Sequence, residues 1–198
     1  MTRLAAVILA AGHSKRMGLP KMLLPWGQTS VLGQVVATFA ACGTHEIIVV
    51  SGGAREAVEA ETRRLADQFP VRCIYNPQHE TGEMLSSLRC GLSALGPQTD
   101  AALIGLGDQP QVSPEAVQQV ISAFAATQAA LIVPSHNLRR GHPWLAQRAL
   151  WSQLLAVQPP QTLRDFLNAS AAQISYVETD STVLKDLDTP EDYRREKP

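Results

Sequence analysis

Leu9-Ala10-Ala11-Gly12-His13-Ser14-Lys15-Arg16-Met17-Gly18-Leu19-Pro20-Lys21 is the stretch that decides how the rest of this chain is read. It follows an apolar run, Leu4 to Leu9, patterned like a strand buried on both faces. Small residues and two glycines let the backbone come close to a ligand, and Lys15, Arg16 and Lys21 surround them. The N–H groups of such a loop turn toward an anion, and the cations add charge that neutral amides lack. The expectation is a polyphosphate cradle at the carboxyl end of the first strand. It is not a Walker loop, because Gly18 is followed by Leu19-Pro20-Lys21 rather than by Lys-Ser or Lys-Thr. Nor is it a dinucleotide fingerprint, which needs a third glycine and a helix, and Pro20 disfavours helical geometry at Leu19.

Working outward, apolar strands alternate with helices. Strands are expected at Ala6–Leu9, Glu46–Val50, Val71–Tyr75, Ala101–Leu106 and Ala130–Val133. Helices are expected over Val31–Ala41 (capped by Ser30 and ended by Gly43), Ala54–Gln68, Ser86–Ala94, and from Ser113-Pro114 to Thr127. Beyond Pro134 the pattern weakens to a basic loop, a strand at Trp144–Ala146, a helix from Leu163, a strand at Gln173–Val177 and a last helix from Thr189. The fold class is α/β: one doubly wound, Rossmann-like, mostly parallel sheet over residues 1–198. The 198 residues, 45% hydrophobic, suit a single core. A net charge of −1 excludes a general field for nucleic acid, and no apolar run is long enough for a bilayer. Cys42, Cys73 and Cys90 form no CxxC pair and read as buried reduced thiols. Arg3 leads directly through a short apolar stretch into the glycine loop, unlike a secretory leader, so a cytoplasmic protein is expected.

Ligands of such sheets sit beyond the carboxyl ends of the strands. Four loaded segments fall there: the glycine loop, Asn76–Ser87, Gly107-Asp108-Gln109-Pro110, and Arg139-Arg140-Gly141-His142-Pro143. They are expected to meet along one rim. Asp108 at a strand end suits Mg²⁺ beside phosphates, although an Asp before Gln-Pro also simply forms turns. Asp186 and Asp188, two apart in an extended segment, point to one face and could complete the metal site. They also fit a solvated turn before the last helix.

The motif Leu-Ala-Ala-Gly-x-Ser-x-Arg-Met-Gly-x-x-Lys at Leu9–Lys21 resembles the signature loop of nucleotidyltransferases that release pyrophosphate. Lys21-Met22-Leu23-Leu24-Pro25-Trp26-Gly27, Asn76-Pro77, Gly82 with Ser86-Ser87-Leu88, Gly107-Asp108-Gln109-Pro110, Arg140-Gly141-His142-Pro143 and Asp186-Leu187-Asp188-Thr189-Pro190-Glu191-Asp192 narrow it. Together they resemble the molybdenum cofactor cytidylyltransferase branch, from the first strand almost to the C-terminus.

The resemblance implies attack of the molybdopterin phosphate on the α-phosphorus of CTP. Leu9, Ala10, Ala11, Gly12, Ser14, Arg16, Gly18 and Lys21 would hold the nucleotide, with Arg16, Lys21 and Asp108 catalytic. Asp108, with Asp186 or Asp188, would bind Mg²⁺ or Mn²⁺. Gly82, Ser86 and Ser87 would line base and ribose. Arg140, Gly141 and His142 would form the acceptor side, with two cations suited to a phosphorylated pterin; His142 could instead be a loop anchor. A molybdenum-dependent oxidoreductase would receive the product. Related guanylyltransferases carry Gly-Gly where this chain has Ala11-Gly12, so the Ala11 methyl favours a pyrimidine, by ~1–3 kcal/mol. Many relatives place Met directly after the glycine equivalent to Gly82; here Glu83 intervenes before Met84. Guanylyl or other transfer to another small phosphorylated acceptor is one alternative. A non-catalytic molybdenum cofactor accessory or insertion protein is the other.

Overall fold

The computed structural model describes residues 2–12, 17–158 and 161–198, without the Glu83 side chain. Ser14 and Arg16 lie outside the described residues. The first strand, β1 (Leu4–Ala10), is buried along its whole length. Leu4, Ala6, Ile8 and Ala10 face one apolar cluster, and Ala5, Val7 and Leu9 face another. That two-residue alternation places β1 at the centre of a sheet covered on both sides. Ile8 is completely buried. Its truncation to Ala would cost about 2–5 kcal/mol.

After β1 come a short hairpin, β2 (Pro25–Trp26) and β3 (Thr29–Ser30), and helix α1 (Val31–Ala41). The Ser30 hydroxyl accepts from Gly33 N at 2.9 Å, and Gly43 takes a φ of 86° beyond the helix end. Then follow β4 (Glu46–Ser51), α2 (Arg55–Leu65), β5 (Val71–Tyr75), α3 (Glu83–Ala94), β6 (Ala101–Leu106) and α4 (Pro114–Thr127). The remainder is β7 (Leu131–His136), β8 (Arg139–Arg140), β9 (Trp144–Gln147), α5 (Arg148–Ala156), α6 (Leu163–Ala169), β10 (Ile174–Glu178) and α7 (Pro190–Glu196).

The main sheet runs β5-β4-β1-β6-β9-β7-β10, with β8 against β7. All pairs are parallel except those of β9 and β8. Helices α1, α2 and α4 supply Phe39, Val58 and Val117 to one face. Helices α3, α5 and α6 supply Leu88, Trp151 and Leu167 to the other. This is the doubly wound architecture expected.

Several boundaries differ from the sequence reading for identifiable reasons. Helix α2 stops at Leu65, three residues short of Gln68. Helix α3 begins at Glu83 rather than Ser86, with Gly82 at its cap. Strand β7 runs past Pro134, because its pairing with β9 ends at Ile132 and the Pro134 carbonyl accepts from Gly141 N. Helix α5, the hairpin β2–β3 and strand β8 have no counterpart in the sequence reading. The three cysteines are free but only partly buried, and burial pushes each thiol upward. No helix among the described residues is long and apolar enough to cross a membrane.

Candidate active site

Beyond the carboxyl ends of β1 and β6 the backbones run side by side. Gly107 N donates to Leu9 O at 2.9 Å, and a Cβ at Gly107 would stand 3.0 Å from Met22 Sδ and 3.2 Å from Ala10 Cβ. That close approach delivers Asp108 next to the start of the glycine loop. Lys21 opens a single 3₁₀ turn, Lys21–Leu23, anchored by buried Met22. Its Nζ donates to Asp108 Oδ2 at 2.5 Å and to Asp188 Oδ1 at 3.4 Å. Asp188 arrives because Leu187, wholly buried beside Trp26 and Val31, donates its N–H to Asp108 O at 3.1 Å. The ammonium is nearly sequestered, with 11% of the side chain exposed.

Asp186 reaches the same corner but is held differently: Gln109 Nε2 donates to its Oδ1 at 2.7 Å. Burial pushes its carboxyl upward; the Gln109 hydrogen bond opposes this, and the charges of Asp108 and Asp188 add to it. The two carboxylates take different partners, Asp188 bonding Lys21 and Asp186 bonding Gln109, while each stays near enough for the Asp188 charge to act on Asp186. As the side chains stand, no three His, Cys, Asp or Glu groups among the described residues converge on one metal-sized point. A lysine cation occupies the gap between two of the carboxylates.

The loop after β5 is built on Asn76, which is wholly buried. Its Nδ2 donates to Ser86 Oγ at 2.7 Å and Ser87 Oγ at 3.0 Å, while its Oδ1 accepts from Gln78 N at 2.9 Å. Ser86 and Ser87 are thus buried acceptors that lock the loop to α3. Gly82 packs tightly on Ser86, a Cβ there falling 2.4 Å from the serine Cβ.

Arg140 and His142 line a cavity of about 590 Å³ together with Gly82, Met84, Trp144 and Arg164. Gly141 itself lies against Val183, whose carbonyl would be 2.5 Å from any Cβ at that position. Arg140 Nη1 donates to Asn168 Oδ1 at 3.0 Å, and its guanidinium lies 5.6 Å from the Tyr176 ring centroid. His142 stacks on Trp144, with ring centroids 4.7 Å apart and planes 18° from parallel. Its Nε2 is shut off from solvent without a partner, and burial lowers its pKa to about 4. The expectation of two cations here is corrected: His142 is neutral at neutral pH, and the positive groups at the cavity are Arg140 and Arg164. Sequence reasoning missed Arg164, Trp144 and Gln109 as site components. Gln109 lay inside a quoted motif, whereas Arg164 reaches the cavity only through the packing of α6.

The described parts of all four loop segments therefore lie beyond the carboxyl ends of the strands. Residues 6–174 match the MobA-like NTP transferase domain. The chain belongs to that family, and the fold is its α/β nucleotidyltransferase fold. Molybdenum cofactor cytidylyltransferase of Escherichia coli (strain K12) is 29% identical over 195 residues, covering 98% of this chain and 95% of that protein. Nicotine blue oxidoreductase of Paenarthrobacter nicotinovorans is 30% identical over 198 residues, covering 96% and 94%. Among solved structures, Rv0371c from Mycobacterium tuberculosis H37Rv superposes with a TM-score of 0.82 at 28% identity, covering 98% of this chain and 97% of that one. The same mycobacterial protein has been solved in complex with manganese, with a TM-score of 0.78 to this chain.

Proposed function

We propose that this member of the family transfers CMP from CTP to the phosphate of molybdopterin, releasing pyrophosphate, and that the chain works as one unit in the cytoplasm. The activities for which its two relatives are named differ in class, so family membership alone leaves the reaction open. The observation that carries the reading is the Lys21 ammonium seated between Asp108 and Asp188 beside the glycine loop. A phosphate-transfer site needs cations and hard oxygen ligands within reach of one another, and little else from the protein.

In this reading an oxygen of the acceptor phosphate attacks the CTP α-phosphorus. The bond from that phosphorus to the bridging oxygen of the β-phosphate breaks, and pyrophosphate leaves with the bond pair. The backbone from Leu9 to Gly12 and at Gly18 orients the triphosphate, with Ser14 and Arg16 on the intervening segment. Lys21 offsets the negative charge that builds on the departing oxygens. Carboxylate oxygens are the donors that Mg²⁺ and Mn²⁺ prefer, and a gap already holding a cation fits such an ion. When bound, that ion supplies further charge neutralisation at the phosphates. Asp108 and Asp188 would hold it, and Asp186, engaged by Gln109, would shape its surroundings. The manganese complex of the mycobacterial relative supports a divalent metal in this fold.

The acceptor is assigned to the 590 Å³ cavity, a size typical of small-molecule sites. Arg140, at its mouth, suits the acceptor phosphate. The neutral His142–Trp144 stack offers a flat apolar wall suited to a pterin ring. Ala11 borders the base and favours the smaller pyrimidine, with Gly82 at the cap of α3 and Ser86 and Ser87 near its start completing the base and ribose side. A molybdenum-dependent oxidoreductase is the natural recipient of the product.

The test is pyrophosphate release with CTP, GTP, UTP and ATP in turn, each with and without molybdopterin. Release that needs molybdopterin and is fastest with CTP is expected. No acceptor-dependent release with any nucleotide would overturn the reading.

A further inference from the structure

Ala11 is fixed from the side by the end of β4 and by the loop after β5. Gly53 N donates to Ala11 O at 3.1 Å, joining the end of β4 to the end of β1. One residue earlier, a Cβ at Gly52 would stand 2.4 Å from Ala11 O, 2.7 Å from Ala11 Cβ and 2.7 Å from His79 Cβ. Three segments, from the ends of β1 and β4 and from the loop after β5, therefore cross where only bare backbone fits. Gly52 does not have a positive φ, so the requirement is for space and not for glycine's conformational range.

The outer wall of this crossing is braced. The His79 ring lies 5.9 Å from the Tyr75 ring, and the Arg55 guanidinium sits 4.3 Å over the Tyr75 ring. His79 N also donates to Asn76 O at 3.3 Å, tying it to the buried asparagine that organises the loop. Ala11 and the braced His79 thus border the same small space beside Gly52.

We infer that Gly52 and His79 form a backstop that sets how far the Ala11 methyl projects into the base site, making Gly52 a positioning residue for pyrimidine-over-purine choice. This rests on the reading that Ala11 borders the base. The methyl discriminates only if it cannot slide away from a purine, because a single methyl acts through contact distance. The backstop supplies that rigidity.

Opposite changes at the backstop are therefore expected to have opposite effects. Gly52→Ala pushes Ala11 toward the base, so the CTP dissociation constant rises about tenfold and GTP binding weakens further. His79→Gly lets Ala11 withdraw, so GTP binding improves relative to CTP by several-fold. Ala11→Gly in the Gly52→Ala background removes the 2.7 Å contact and recovers part of the CTP affinity. General damage to the fold would produce neither the opposite signs nor that recovery.

The experiment is titration of each full-length variant with CTP and with GTP. Ala11→Gly alone reports on the underlying reading: if it leaves the CTP to GTP ratio unchanged, Ala11 is not a base selector and the reading fails. If Ala11→Gly shifts the ratio while Gly52→Ala and His79→Gly leave it where it was, the backstop is overturned and the reading stands. Should Gly52→Ala not fold, His79→Gly decides alone: a ratio moved toward GTP supports the backstop, and an unmoved ratio overturns it.

Discussion

Two regions of the rim solve different physical problems. In the corner at the ends of β1 and β6, four charged side chains crowd together, and Lys21 compensates Asp108 and Asp188 directly. In the cavity beneath α6, the central side chain is a histidine kept neutral by burial and stacked on a tryptophan. The corner pairs its charges directly, whereas the cavity sets a neutral stacked pair beside Arg140 and Arg164. The rim is thus one surface with two dielectric environments, and the two should respond differently to the same kinds of change.

The largest effect should come from the charged corner. Asp108→Asn keeps shape and removes one charge, and turnover should fall at least about a hundredfold while the variant still folds to a cooperative thermal transition. Steady-state rates beside a thermal melt check both; unchanged turnover at saturating Mg²⁺ would remove Asp108 from the site.

Lys21→Ala comes next. It leaves Asp108 and Asp188 facing each other without their shared cation, and removing one partner of a largely buried pair costs about 3–5 kcal/mol. The apo-protein should melt several degrees lower, and Mn²⁺ should restore the variant more than it raises the native protein. A variant that melts normally and ignores Mn²⁺ would contradict the cation position assigned between the two carboxylates.

In the cavity the effects should be smaller and should spare the nucleotide. Arg140→Ala should raise the KM for the acceptor about tenfold with the KM for CTP unchanged. Equal weakening of both substrates would break the division between the two regions.

The last effect concerns pH. The His142 pKa of about 4 lies below its unfolded value of 6.5. Between those values the unfolded chain binds the proton and the folded one does not, so stability rises with pH across this window and is fully present above it. The loss on acidification is at most about 3 kcal/mol. His142→Phe should flatten the fall in melting temperature between pH 7 and pH 5; an unchanged slope would assign the acid sensitivity elsewhere.

The same contrast explains what could be read in the sequence. The charged corner is written in short motifs at strand ends, so Lys21 and Asp108 stand out by residue type and spacing, whereas Asp186 and Asp188 read equally as a solvated turn before the last helix. Ser30, Gly43 and Ser113-Pro114 punctuate their helices with side-chain caps or a positive φ, and those boundaries fall where expected. Helix α5 is illegible because β9 runs straight into it: Gln147 makes no side-chain cap, and neither Gly nor Pro marks the junction. The sequence pattern starts α3 three residues late: the helix begins at Glu83 with Gly82 at its cap, and Ser86, inside its first turn, bonds Asn76. The cavity draws on residues 81–85, 140–144 and 161–167, three segments joined only by tertiary packing. The Arg140-Gly141-His142 motif marks one wall, but no local pattern announces that α6 closes another, and the neutrality of His142 depends on burial that no neighbouring residue reveals.

The central claim is that the CTP α-phosphorus moves to an acceptor phosphate. The most direct test incubates the protein with Mg²⁺, molybdopterin and CTP labelled at the α-phosphorus, then follows the label. Label recovered on the pterin, with one pyrophosphate released per label transferred, is the result predicted. Label that stays in CTP, or appears only in free CMP, would contradict the account.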